Sequence, residues 1–300
     1  MTDTVGSALI RRHIGRRFVA LRLKAGLTQD QAAKALDRGR ATLSRIEEGD
    51  DRVRFRQIDV EAMLKLYQAP ERDAEVLVAL TAETRNGRRK SWWHDYTETE
   101  LPAWFGLYVT LEDSAETIRQ YQAELIPGLL QTPAYAEQVT RVPEGYVTEE
   151  EIRRRVAVRI ERQSLLTRPR APHLSVILNE AVLRRPVGGE SAMAEQLSHL
   201  GDVTRRANVS IRILPFAAGV HGGMAACGPF TILNFPTDQH GELLEPPLGY
   251  AESLTGAMYL NKPGEVAAYH LAWADLETRA LDEQASIALI AETQEGFKRG

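Results

Sequence analysis

Gly26-Leu27-Thr28-Gln29-Asp30-Gln31-Ala32-Ala33-Lys34-Ala35-Leu36-Asp37-Arg38-Gly39-Arg40-Ala41-Thr42-Leu43-Ser44-Arg45-Ile46-Glu47-Glu48-Gly49 decides how the first part of the chain folds. Thr28 is a helix N-cap with Gln31 three residues on, the spacing of a capping box. Ala32 and Ala33 are small enough for a second helix to cross close by. The helix should end near Leu36. Asp37-Arg38-Gly39 then supplies a corner in which Asp and Gly tolerate left-handed backbone. A third helix should run from Arg40 to Glu48 and close at Gly49. Two short helices joined by three or four residues make a helix-turn-helix.

Upstream, Ala8 to Lys24 reads as a helix, with Ile10, Ile14, Phe18 and Leu21 on one face. Arg11, Arg12, Arg16, Arg17 and Arg22 occupy the rest, and Gly26 ends it. Downstream, Ile58, Met63, Leu64 and Leu66 mark a fourth helix over Gln57 to Gln68. Pro70 stops it, and Val76, Leu77 and Leu80 continue helical to Arg85. The expected all-α helix-turn-helix domain thus spans residues 1–85.

The string resembles the DNA-binding domain of XRE-type (phage repressor and Cro-like) regulators. Leu27-Thr28-Gln29, Ala33, Leu36, Thr42-Leu43-Ser44-Arg45-Ile46-Glu47 and Gly49 match in register. The chain departs at the turn, where the family usually has Gly, an aliphatic residue and Ser in place of Asp37, Arg38 and Gly39. It also has Ala32 where a Leu is usual. These departures thin the small core and weaken the cap of the third helix.

On that third helix Leu43 and Ile46 point inward, while Arg40 with Ser44 and Ala41 with Arg45 form two outward stripes. Docked in a major groove, Arg40 and Arg45 would fork onto guanine, Ala41 would touch a thymine methyl, and Ser44 would reach a base or phosphate. The resemblance implies a phosphate contact for Gln29. Thr42 reads either as a second phosphate contact or as core. Arg16, Arg17, Arg52, Arg54 and Arg56 are candidate phosphate contacts or simply solvated charges.

Charge agrees with this division. Residues 1–60 hold 13 Lys/Arg against 8 Asp/Glu, and the remaining 240 hold 24 against 33. A basic block therefore heads an acidic body, an arrangement suited to an anionic polymer at one end. The 300 residues are 43% hydrophobic and 26% charged, the balance of a globular chain rather than a disordered or fibrous one. No run approaches the ~18 apolar residues of a membrane helix. Met1 to Gly6 lacks an apolar secretory core, and the single Cys227 forms no internal disulfide, so a cytoplasmic protein is expected.

Residues 86–105 read as an aromatic-rich junction. Asn86-Gly87-Arg88-Arg89-Lys90-Ser91 is polar, and Trp92-Trp93-His94-Asp95-Tyr96 and Trp104-Phe105 follow as a buried plug or a base-stacking surface.

Residues 106–300 read as an α+β domain. Ser114 to Ile126 is mixed. Thr132-Pro133 starts a helix, and Thr148-Glu149-Glu150-Glu151 caps another that runs through Leu166 with Ile152, Val156 and Ile160. Leu174 to Leu178, Val209 to Phe216 and Phe230 to Phe235 read as strands. Met193, Leu197, Leu200 and Val203 mark a helix. Another runs from Pro263 to Leu281, and a short one follows from Asp282. Leu125-Ile126-Pro127-Gly128-Leu129-Leu130-Gln131 is an apolar bend, either a buried corner or a partner groove.

This part resembles the C-terminal domain that filamentous soil bacteria join to XRE-type DNA-binding domains. The carriers are Trp92–Tyr96, Tyr121–Ala136, Arg184-Arg185-Pro186-Val187-Gly188-Gly189, and Leu214-Pro215-Phe216 with Gly228-Pro229-Phe230. The resemblance implies an antitoxin-like regulator whose acidic domain receives a small protein partner or a small-molecule effector.

Catalysis has little support. His221 and Cys227 share a glycine-rich loop, which could be a nucleophile with its base or only a turn. No histidine or carboxylate set has metal-ligand spacing, and there is no phosphate-binding glycine motif. The expectation is a sequence-specific transcription regulator on double-stranded DNA, a homodimer without cofactor or metal and not an enzyme. The alternative is a protein that chiefly sequesters a small partner, with autoregulatory DNA binding.

Overall fold

The computed structural model describes residues 5–50, 52–71, 73–74, 77–78, 80–81, 103–142, 147–237, 243, 245–253 and 256–299. Val76 and the junction from Asn86 through the Trp92–Tyr96 motif lie outside them. Two compact units divide the chain, Met1–Thr110 with Leu254–Ala257 and Leu111–Ser253 with Met258–Gly300. The first is helical in its N-terminal part, and the second combines a mixed sheet with helices, so the chain is an all-α helix-turn-helix domain followed by an α+β domain.

In the first unit, α1 (Val5–Lys24) buries Ile10, Ile14, Phe18 and Leu21 and gives way to Gly26 at φ +71°. Its neighbour α2 (Gln29–Ala35) opens on the full capping box. The Gln31 amide donates to Thr28 Oγ1 at 3.2 Å, and the Thr28 amide donates to Gln31 Oε1 at 2.8 Å. Ala32 and Ala33 are buried. Asp37 takes the left-handed backbone of the corner at φ +51°, whereas Gly39 is extended and caps α3 (Arg40–Glu48) without a side chain. Gly49 closes α3 at φ +71°.

One core expectation fails in the next helix, α4 (Gln57–Leu66). Ile58 is 71% exposed. The inward stripe is Val60, Met63, Leu64 and Tyr67, which puts Ile58 about 200° of helix rotation away from Val60. Phe55 is buried just ahead of α4, and Tyr67 meets Phe18 edge-on at 6.3 Å.

The second unit begins within α5 (Ala103–Ser114), a helix that the sequence pattern does not announce. Its sheet has the order β3-β2-β1-β4-β5-β6. The strands are β1 (Thr117–Gln122), β2 (His173–Asn179), β3 (Val209–Leu214), β4 (Phe230–Asn234), β5 (Leu248–Ser253) and β6 (Gly256–Leu260). β1, β2 and β3 run parallel, while β4 is antiparallel to both β1 and β5. The mixed segment from Ser114 to Ile126 therefore contains the central strand.

Helical crossovers make the parallel part possible. α6 (Pro133–Arg141) and α7 (Glu149–Arg162) link β1 to β2; α8 (Glu180–Arg184) and α9 (Glu190–Val203) link β2 to β3. Thr132 caps α6 and Thr148 caps α7 in a capping box. α7 gives way at Gln163 to a 3₁₀ turn through Leu166. Ile152 is buried, but Val156 and Ile160 are only half-buried.

α10 (Pro263–Arg279) lays Trp273 and Leu276 on the sheet face formed by Tyr121, Ile177, Phe230 and Ile232. The helix after it, α11 (Glu283–Arg299), has 17 residues and is not short. Its Ser286 hydroxyl accepts from the Ile213 amide of β3 at 3.0 Å.

The apolar bend is a buried corner. Ile126, Leu129 and Leu130 are buried, and amide side chains hold the backbone between them. Gln163 Nε2 donates to the Gln131 carbonyl at 2.7 Å, and Gln196 Nε2 donates to that of Leu130 at 2.7 Å. Arg159 donates to Gln131 Oε1 at 2.8 Å. Among the described residues no helix is long and apolar enough to cross a membrane.

Candidate nucleic-acid interface

The position of α3 is set from behind. Its C-terminal turn lies directly on α1, where a Cβ at Gly15 would fall 2.4 Å from the Glu47 carbonyl oxygen and 2.6 Å from that of Ile46. A Cβ at Gly49 would fall 2.5 Å from the Arg12 backbone. Two glycines thus permit backbone-to-backbone contact that no other residue type allows.

Leu43 and Ile46 are buried as expected, and Glu47 completes the inward stripe at 6% exposure. A buried carboxylate needs a partner. Arg22 supplies it, with Nε 2.6 Å from Glu47 Oε1 and Nη2 3.0 Å from Oε2. This bidentate pair ties α1 to α3 and holds the Arg22 guanidinium more basic than usual. The third Arg22 nitrogen donates to the Leu27 carbonyl at 2.9 Å.

The sequence pattern sets Arg22 on the solvated basic face, but it is 8% exposed. The signal is present in the sequence. Glu47 lies four residues after Leu43 on the apolar stripe, a place where a carboxylate demands a cation.

Gln29 joins this network. Its Nε2 donates to Glu47 Oε2 at 3.0 Å, which leaves its Oε1 toward Arg40. Arg40 Nε stands 3.4 Å from Asp30 Oδ1 and 3.5 Å from Gln29 Oε1. The start of α2 therefore buttresses the first arginine of α3. Both Arg40 and Asp30 remain about two-thirds exposed, so the contact positions the side chain without burying it.

The remaining outward residues divide simply. Ala41, Thr42 and Arg45 are exposed, which removes Thr42 from the core. Among the described residues Arg45 has no ion-pair partner. Ser44 is half-buried, and its hydroxyl donates to Glu48 Oε1 at 2.8 Å.

Of the flanking arginines, Arg54 and Arg56 are exposed just ahead of α4, and Arg16 is exposed on α1. Arg17 and Arg52 are engaged within the unit. Arg17 pairs with Asp73 at 2.6 Å and Arg52 with Asp50 at 2.7 Å. Their contacts to a backbone phosphate would have to displace those carboxylates.

Behind the turn, Leu36, Arg38, Leu43, Ile46, Ala62 and Met63 line a cavity of about 20 Å³. Arg38 points across it to Asp59, so its charged end does not fill the space an aliphatic side chain would take.

In the second unit no hydrogen bond joins His221 to Cys227 among the described residues. The Cys227 thiol donates to the Gly222 carbonyl at 3.6 Å, and burial pushes it above its ordinary range. His221 packs its ring edge-on against Tyr121.

Comparison with known families agrees with both units. Residues 13–77 match a helix-turn-helix domain, and residues 105–292 match a domain of unknown function, DUF5753. No curated protein and no solved structure matches the chain. Because the second match covers more than half of its 300 residues, the chain belongs to the DUF5753 family and carries a helix-turn-helix domain at its N-terminal side.

Proposed function

We propose that this protein is a sequence-specific transcription regulator of the XRE type, with α3 lying in the major groove of double-stranded DNA. One observation carries the reading. Arg40, Ala41 and Arg45 stand exposed along a helix whose rear, Leu43, Ile46 and Glu47, is anchored in the domain. That is the presentation major-groove readout requires: charged forks outward on a rod that cannot rotate. Arg54 and Arg56 add nearby charge for backbone phosphates.

The regulator acts as a homodimer on half-sites about 34 Å apart. Its acidic second unit receives a small partner protein or effector and performs no catalysis. The antitoxin-like alternative, sequestration of a small partner with DNA binding only for self-regulation, predicts a single self-operator rather than a broad regulon.

Selection from random duplexes by the full chain tests the main reading. A recovered, near-palindromic consensus containing guanine in each half-site is the expected result. Recovery of no consensus, with equal retention of all duplexes, would overturn it.

A further inference from the structure

The strand order places an unusual crossing at one end of the sheet. β3 ends beyond β2 and β1, yet the next strand, β4, lies on the far side of β1. β4 is antiparallel to β1, with Phe230 opposite Tyr121, so its first residue sits at the carboxyl end of β1. Residues 215–229 must therefore pass over the carboxyl ends of the parallel strands. In open α/β sheets that crevice is where ligands bind, because connections leave it in opposite directions.

The crossing segment is laid directly on the end of β1. A Cβ at Gly223 would fall 2.3 Å from the Tyr121 ring. Gly223–Cys227 forms a π-helical turn, an irregularity that concentrates at functional sites. The Gly222 amide donates to Asp275 Oδ2 of α10 at 2.8 Å, which ties the segment to that helix. Gly219 and Gly228 flank the turn with left-handed backbone at φ +65° and +63°. Phe216, Val220 and Met224, all more than half exposed, ride on its outside.

Beneath it, polar groups are left without partners. His221 is 3% exposed, and its Nε2 has no hydrogen bond among the described residues. The Met224 amide is shared between the His221 carbonyl at 3.0 Å and Nδ1 at 3.3 Å, and with Nδ1 as acceptor the neutral ring carries its proton on Nε2, a buried donor. Trp273 Nε1–H, in the aromatic cluster with Tyr121 and Phe230, is a second buried donor with no hydrogen bond among the described residues. Tyr121 stands 5.7 Å from the His221 ring and 6.0 Å from Phe230, which is 5.0 Å from Tyr269. Native interiors rarely leave such donors unmet.

We infer that the crossing segment 215–229 is a lid over a small-molecule site at the carboxyl end of β1, and that His221 Nε2–H recognises the carbonyl oxygen of a compact, largely apolar ligand stacked among the aromatic rings. The ligand supplies the acceptor that the His221 donor lacks, and the glycine-flanked lid admits it. The inference does not depend on DNA binding.

The full chain, with its histidine side chains labelled with nitrogen-15, is titrated with acetophenone and with toluene, which has a similar shape but no acceptor. Acetophenone should shift the His221 Nε2 resonance and bind about tenfold tighter than toluene. His221→Phe should abolish that preference, and His221→Gln, which keeps an N–H near the same place, should restore it. Equal affinity for the two probes overturns the proposal, as does an unmoved His221 resonance at saturating acetophenone, the outcome if only a fixed water meets the donor. Should His221→Phe fail to fold, the wild-type comparison of the two probes still decides.

Discussion

Arg38 Nη2 lies 2.5 Å from Asp59 Oδ1, joining the corner between the two motif helices to the first turn of α4. The pair is solvent-screened, with nearly half of the Arg38 side chain exposed, and it spans the cavity of about 20 Å³ instead of filling it. Arg38→Leu should therefore be stabilising. Filling that volume at ~24 cal/mol per Å³ contributes about 0.5 kcal/mol, and Asp59 keeps its favourable place at a helix N-terminus. Thermal melts of the two proteins check this; a lower melting temperature for Arg38→Leu would count against the cavity.

Glu47→Gln should destabilise the first unit by about 3 kcal/mol, because it leaves the buried Arg22 guanidinium uncompensated. The double variant Arg22→Met, Glu47→Leu should lose less than Glu47→Gln alone, since two apolar side chains replace a desolvated pair. Urea denaturation of the three proteins measures the difference. A double variant that loses as much as Glu47→Gln, or more, would show that the uncompensated charge is not the source of the loss.

His13 links stability to pH. It is buried on α1, and its pKa is lowered to about 4, first by burial and then by the nearby charges of Arg17 and Arg16. The folded state thus disfavours protonation relative to an unfolded chain, where the group titrates near 6.5. Between pH 6.5 and 4 the unfolded state binds more protons, so stability falls as the pH drops through that window and levels off below it. The loss is of the order of 3 kcal/mol at most. His13→Gln should flatten the profile there, and an unchanged slope in the variant would remove His13 as its source.

Arg45→Ala should weaken binding to a selected operator by about 1–3 kcal/mol with little effect on random duplex. Arg54→Ala or Arg56→Ala should weaken both and lower the salt slope by about one unit for each phosphate left without its arginine. Binding titrations at several salt concentrations separate the two classes. Equal losses on both duplexes for Arg45→Ala would mean that it contacts only phosphate.

Local signals carry the first unit. Thr28 with Gln31, Asp37 and Gly49 each act through their own backbone, so their roles are legible one residue at a time. The partnership of Arg22 with Glu47 depends on two helices meeting, which spacing along one helix does not display. Ile58 misleads because an isolated apolar residue near a helix start has no phase until the rest of the stripe is known.

In the second unit β1 is hidden by its composition. Thr117-Ile118-Arg119-Gln120-Tyr121-Gln122 buries only Ile118 and Tyr121, three positions apart, so a central strand shows no alternation. α11 has a similar disguise. Its buried positions are Ser286, Ile290 and Thr293, two of them hydroxyl residues, and the apolar period is faint. The paired outward stripes of α3 are readable from the sequence, but the engagement of Gln29, Arg17 and Arg52 with carboxylates is not.

The glycine contacts between α1 and α3 leave the reading head no slack. With carbonyl oxygens resting on bare backbone, α3 cannot tilt or slide against its support without a clash or a gap. In the proposed regulator, a signal from the remainder of the chain would then be expressed by where the entire helical block is carried, not by movement of α3 within it. The outward face of α3 keeps one fixed pose against α1 throughout.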